Sequence, residues 1–96
     1  MRLDLFLKAS RLCLRRSAAQ ELCEAGAVLV NGSAAKSSRT IQAGDEITLR
    51  RRHRQLTVRV QRIPSSRQTS RIEAPSLYEI IKDEMINEEA GASPSS

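Results

Sequence analysis

Aromatic side chains are almost missing from this chain. Its 96 residues include no Trp, one Phe (Phe6) and one Tyr (Tyr78). Folds that hold single strands by stacking successive bases on rings, such as the RRM, cold-shock and OB types, are excluded on that ground. Histidine is represented by His53 alone, and Cys13 and Cys23 are the only cysteines. No four-ligand metal set can be assembled from them, and the two thiols read as reduced and partly buried. Gly-x-Gly-x-x-Gly and P-loop patterns are absent, and the acids gather near the C-terminus without a histidine or phosphate loop beside them. Neither an enzyme nor a cofactor is therefore expected. No apolar run reaches seven residues, too short for a signal-peptide core or a membrane span. The chain is expected to be cytoplasmic, and it lacks the Trp/Phe/Leu face of a membrane-lying helix.

Acid is missing from one stretch altogether. Residues 50–71 carry eight Arg and no Asp or Glu, a net +8. Residues 1–16 carry five Lys/Arg against one acid, residues 17–49 are net −2 and residues 72–96 net −5, which leaves +5 overall. Two basic blocks around a near-neutral scaffold point to a polyanion partner. With so few rings, that partner has to be read through backbone, groove shape and charge, which favours structured RNA. The length and a hydrophobic fraction of 40% allow one small domain with a modest core.

Leu3, Phe6 and Leu7, with Ser10, share one face of a short helix reaching about Arg11. Asp4 falls in its first turn, where negative charge suits the helix dipole. Ser17 and Gln20 form a capping-box pattern that opens a second helix to about Ala25, closed by Gly26. Residues 27–30 read as a strand, Asn31 and Gly32 as a hairpin turn, and residues 33–36 as the return strand. Ala43, Gly44 and Asp45 mark another turn. Residues 46–50 and 55–63 alternate apolar and polar and predict an antiparallel pair joined by a turn over residues 50–54. The fold class is α+β: two short helices packed on a small antiparallel sheet, in a domain spanning 1–63. Residues 64–75, rich in Ser, Arg and Thr, read as a linker. Ser76 and Glu79 repeat the capping-box pattern, and Leu77, Ile80, Ile81 and Met85 form the stripe of a C-terminal helix over 76–89. That stripe either packs on the chain's own sheet or docks on a partner protein. Residues 90–96 read as a disordered tail.

Arg15 and Arg16 stand just before the second helix, where free N–H groups already attract anions. Two guanidiniums there make a phosphate cradle; the bland alternative is a charged connector paired with Glu21 or Glu24. Arg2, Lys8 and Arg11 either extend the patch or form an ordinary solvated helix face. Asp4 either orients Arg2 or Lys8, accepts from an RNA hydroxyl, or simply suits its helix turn. Lys36 lies where a return strand can reach phosphate. Asn31, Gly32, Gly44 and Asp45 are turn residues first. Arg51, Arg52 and Arg54 crowd a hairpin tip, which favours a nearby polyanion over a merely solvated loop. His53 reads as a bystander.

Residues 1–12, followed by Arg15, Arg16, Gly26, Val30, Asn31, Gly32, Lys36, Gly44 and Asp45, resemble the S-four RNA-binding domain family over about residues 1–50. The resemblance implies two short helices on a small antiparallel sheet, binding structured RNA through the helix pair and its adjoining loop. It assigns the RNA face to Arg2, Asp4, Lys8, Arg11, Arg15, Arg16 and Lys36. Among stand-alone members, the opening, the length and the segment with Tyr78 and Ile81 look like the ribosome quality-control branch. The heat-shock branch, which also engages large subunits with trapped chains, has a longer, more basic C-terminal extension. The implied partners are large-subunit rRNA and peptidyl-tRNA on the large ribosomal subunit, with the alanine-tailing factor beside them, and the implied state is a monomer. An RNA-targeting accessory of a modifying enzyme is the other class such domains allow. The arginine-rich tip at residues 50–54 departs from the more neutral turn of that branch and opens an added rRNA contact.

Overall fold

Spacing of three and four between apolar residues decides how the chain begins. The computed structural model describes residues 1–64 and 73–85. In helix α1 (Leu3–Ala9), Leu3, Phe6 and Leu7 are fully buried; helix α2 (Arg16–Glu24) buries Ala19 and Cys23 on the same core. Helices this short do not persist alone in water. Their stability comes from packing, at roughly 1.5–3 kcal/mol for each large side chain fully buried. The partner layer is a five-stranded antiparallel sheet, β1 (Val28–Val30), β2 (Ser33–Ala34), β3 (Glu46–Arg51), β4 (Arg54–Val60) and β5 (Tyr78–Met85), in the order β2-β1-β3-β4-β5. Alternate strand residues Val28, Val30, Ile47, Leu49, Val58 and Val60 complete the core. Thr48 and Thr57 pair across β3 and β4 at 3.0 Å on the other face.

The turns follow residue chemistry. Asn31 (φ 52) and Gly32 (φ 89) both take the positive φ of a type I′ hairpin between β1 and β2. Asn31 also ties this turn to the next: its Oδ1 accepts the Glu46 N–H at 3.0 Å and its Nδ2 donates to Asp45 at 3.3 Å. Gly26 (φ 75) ends α2, with Ala27 N–H bonded to the Leu22 carbonyl and Gly26 N–H to that of Cys23, the Schellman arrangement.

Four expectations are corrected. Helix α2 starts at Arg16 with Arg15 in the N-cap position and no side-chain cap, so Ser17 and Gln20 are not a capping box; Gln20 is drawn to a buried carboxylate instead. The turn over residues 50–54 narrows to Arg52 and His53, because Arg51 and Arg54 pair across the hairpin. The return strand β2 stops at Ala34. Over the described part of the expected C-terminal helix (76–85) the chain instead completes a single 3₁₀ turn (Ala74–Leu77) and forms β5, and 86–89 lie outside the described residues. There the open edge of β4 overrides the helical spacing: β5 pairs with β4 from Tyr78 opposite Val60 to Met85 opposite Arg54, with a bulge that leaves Ile81 unopposed. The residues of β5 are β-branched or aromatic where they matter, at Tyr78, Ile80 and Ile81, which suits a strand. The sheet thus continues past position 63. Leu77 is fully buried in the core, whereas Ile80, Ile81 and Met85 are exposed. Most of the expected linker and the whole 90–96 tail lie outside the described residues.

Candidate nucleic-acid interface

Asp4 organises the helix pair. Its side chain is buried, yet it lies just beneath two half-exposed arginines. Arg2 donates to it through Nε at 3.2 Å and Nη2 at 3.3 Å, and Arg16 donates through Nε at 3.1 Å. Gln20 Nε2 donates at 2.9 Å and the Leu5 N–H at 2.8 Å. Burial by itself pushes this carboxyl up, but the hydrogen bonds from Gln20 and Arg16, the Arg16 charge and the bond from Arg2 outweigh it and hold Asp4 below the usual carboxylate range. A fully buried carboxylate with five internal donors is not placed to accept from an RNA hydroxyl, so that reading of Asp4 is replaced by a positioning one. Arg16 pairs with Asp4 and not with Glu21 or Glu24. The geometry fixes the Nε side of Arg2 and Arg16 and leaves the rest of each guanidinium at the surface, 44% and 41% exposed. Planar forks held this way suit bidentate recognition of phosphate.

The other cations fall into two places. Lys8 is exposed in the last turn of α1, and Arg15 is exposed at the N-cap of α2. Arg11 closes α1 in the left-handed region (φ 62), a conformation that costs a non-glycine residue about 1–2 kcal/mol. It lines a groove of about 180 Å3 with Arg51 and Arg54. The hairpin tip therefore meets the α1–α2 connector. Arg51 Nη2 reaches the Leu12 carbonyl at 2.7 Å and lies 3.9 Å from the Cys13 sulfur. Arg54 makes a two-pronged pair with Asp83 of β5 at 2.8 and 2.6 Å, which holds Arg54 up and Asp83 down from their ordinary values. Arg52 stays exposed at the tip beside His53. Lys36 lies apart, near the end of α2 with Cys23 and Glu24, in a loop whose Ser37 carbonyl accepts the Asp4 N–H at 3.1 Å.

Sequence reasoning missed Gln20 as an arginine-positioning residue, since its spacing from Ser17 matched a cap. Both cysteines are buried free thiols. Burial pushes Cys23 up to about 11, helped by nearby Asp4 and Cys13, and raises Cys13 against the opposing pull of Arg51; neither is set up as a nucleophile. Among the described residues no group of three or more His, Cys, Asp or Glu is placed to hold a metal, and no helix is long and apolar enough to cross a membrane.

Two helices carrying a carboxylate-braced arginine surface, packed on an antiparallel sheet, define a small RNA-binding module. A family model for the S4 domain matches residues 1–47. A protein from Bacillus subtilis named RQC P-site tRNA stabilizing factor is 41% identical over 88 residues, covering 92% of this chain and all of that protein. Heat shock protein 15 of Escherichia coli is 37% identical over 79 residues, covering 82% of this chain and 59% of that protein. The trimeric structure of Vibrio cholerae heat shock protein 15 superposes with a TM-score of 0.76 at 38% identity, covering 83% of this chain and 80% of that one. The chain belongs to the S4-domain family that includes the RQC P-site tRNA stabilizing factors.

Proposed function

We propose that this chain is a non-enzymatic, monomeric, cytoplasmic RNA-binding factor of ribosome-associated quality control. It binds the large ribosomal subunit, touching rRNA and the peptidyl-tRNA, and steadies that tRNA while a partner adds a C-terminal alanine tail to the stalled chain. The observation that carries this reading is the Asp4 cluster, which presents Arg2 and Arg16 outward beside the exposed Arg15. The end-to-end similarity to a protein named for stabilizing P-site tRNA supports it. The RNA face consists of Arg2, Lys8, Arg11, Arg15, Arg16 and Lys36, with Asp4 positioning two of them; at the hairpin tip Arg51 and Arg52 add an rRNA contact, while Arg54 is engaged by Asp83. A heat-shock-type role on large subunits with trapped chains is the second reading, favoured by the superposition on heat shock protein 15.

Arg15 gives the cleanest test, because its side chain makes no hydrogen bond or ion pair among the described residues. Arg15→Ala is expected to weaken binding to purified large subunits and to flatten the dependence of log K on log salt by about one unit, the signature of one lost phosphate. An unchanged affinity with an unchanged slope refutes the reading.

A further inference from the structure

Beside these arginines lies a surface of another kind. Leu14, on the connector between α1 and α2, is 82% exposed. With Leu12, Cys13, Ala18 and Leu22 it lines an open groove of about 500 Å3, whose polar members are Glu21 and Arg51. The volume falls within the ~300–1,000 Å3 of ordinary ligand clefts. The connector is pinned at the one peptide unit, Leu12–Cys13, that borders this groove. Arg51 holds the Leu12 carbonyl, and the Cys13 N–H donates to the Leu7 carbonyl at 3.0 Å. A single exposed leucine needs no explanation. A leucine set over a pinned apolar groove, with Arg15 next in the chain and Arg51 on the rim, does.

We propose that this groove receives one unstacked nucleotide of the bound RNA. The base lies on Leu14, Ala18 and Leu22, its phosphate faces Arg15 and Arg51, and its Watson–Crick edge meets Glu21. The proposal rests on the RNA-binding reading above and deepens it. Charge complementarity selects the occupant: an apolar seat with the Arg51 guanidinium on its rim and Arg15 next to Leu14 in the chain fits a flat base attached to an anion. The aliphatic floor supplies the desolvated contact that rings supply in other RNA-binding modules. Glu21 then selects among bases. Its carboxylate is not tied to any cation among the described residues, and when ionised it accepts only. Guanine offers two adjacent donors, N1–H and the N2 amino group, which match the two carboxylate oxygens. Adenine places an acceptor beside its amino group.

Two measurements on the full chain test this. In the first, the protein is titrated with GMP, AMP, CMP and UMP while the Leu14 and Leu22 methyl resonances are followed. GMP is expected to shift them most, and Glu21→Gln to remove that preference. In the second, wild type, Leu14→Ser and Arg15→Ala are bound to purified large subunits and to protein-free rRNA across a salt series. Leu14 is too exposed for its replacement to unfold the domain. Leu14→Ser is expected to weaken both complexes about tenfold, the order expected when the apolar contact of one leucine side chain is lost, at every salt concentration and with the slope unchanged. Absence of methyl shifts, or wild-type affinity of Leu14→Ser, overturns the assignment. So does a loss confined to intact subunits, which would place a protein in the groove. If Arg15→Ala weakens binding and Leu14→Ser does not, only the nucleotide seat fails. If neither weakens it, the RNA-binding reading fails as well.

Discussion

Replacing Asp4 by Asn separates positioning from charge. The side chain keeps its size but loses the anion that receives five hydrogen bonds. Arg2 and Arg16 are 44% and 41% exposed, so water takes over much of what they lose, and such pairs contribute at most about 1 kcal/mol each. The Gln20 amide and the Leu5 N–H lose an ionised acceptor, at about 1 kcal/mol each, and the remaining carbonyl oxygen of Asn recovers one of these bonds. The net cost is about 2 kcal/mol. For a domain of this size that lowers Tm by about 8–16 °C, within reach of differential scanning fluorimetry. The pH dependence supplies the control. Asp4 in the folded chain sits below its unfolded value of 3.8. Its contribution is therefore complete above that value and disappears as the pH falls through the lower folded one. The Tm gap between wild type and Asp4→Asn should hold from neutral pH to about 5 and shrink below about 4. RNA affinity gives the sharper contrast. The variant is one unit more positive, so charge alone requires tighter binding, whereas loss of the braces on Arg2 and Arg16 requires weaker binding. A Tm change under about 3 °C, a gap that persists undiminished at pH 3, or tighter RNA binding refutes the reasoning.

Two further outcomes bear on the fold. Leu77→Ala should cost about 2–5 kcal/mol, since Leu77 is fully buried in the core; an unchanged chemical-denaturation midpoint would show that the 3₁₀ turn and β5 do not belong to the domain. Gly32→Ala should cost about 1 kcal/mol even though nothing lies within 4 Å of the added methyl, because a φ of 89 disfavours any side chain. A variant of wild-type stability by the same measurement would mean that the β1–β2 turn is not held in the type I′ form.

Legibility in the sequence tracked how local each feature is. Helix α1 was readable because Leu3, Phe6 and Leu7 repeat at helical spacing, and the β1–β2 hairpin because Asn31 and Gly32 allow few other conformations. Residues 77–85 were misread because their apolar spacing fits a helix equally well. What decides their structure is the unpaired edge of β4, which is remote in sequence. Gln20 was misread for the same reason in miniature. Its spacing from Ser17 suggests a cap, while its actual partner, Asp4, lies on another helix. The arginines of the candidate site could be chosen by type and number, but their division into outward and inward groups depends on where the acids fold.

That division narrows the charge available to RNA. The block at residues 50–71 is net +8 in sequence, and in the fold much of its described part is matched. Arg54 pairs with Asp83, Arg59 with Glu46 and at longer range with Glu79, and Arg62 with Glu73. Three of those four acids come from the C-terminal block, brought alongside by β5 and the turn before it. Folding therefore cancels basic charge on the β4–β5 side of the sheet and leaves it on the helix pair and at the hairpin tip. Arg50 and Arg52 keep side chains that bond to no acid among the described residues, as do Lys8 and Arg15. Because Arg51 bonds to the connector carbonyl, the tip and the connector border one region and not two. A polyanion approaching this domain meets one positive side and one mixed side, so the acids of β5 and the turn before it bias the encounter toward the positive side. Stripping acid from β5 would raise the net charge and the overall association rate while loosening the preference for the helix-pair face. Selectivity for structured RNA over bulk polyanion should then fall even as nonspecific affinity rises.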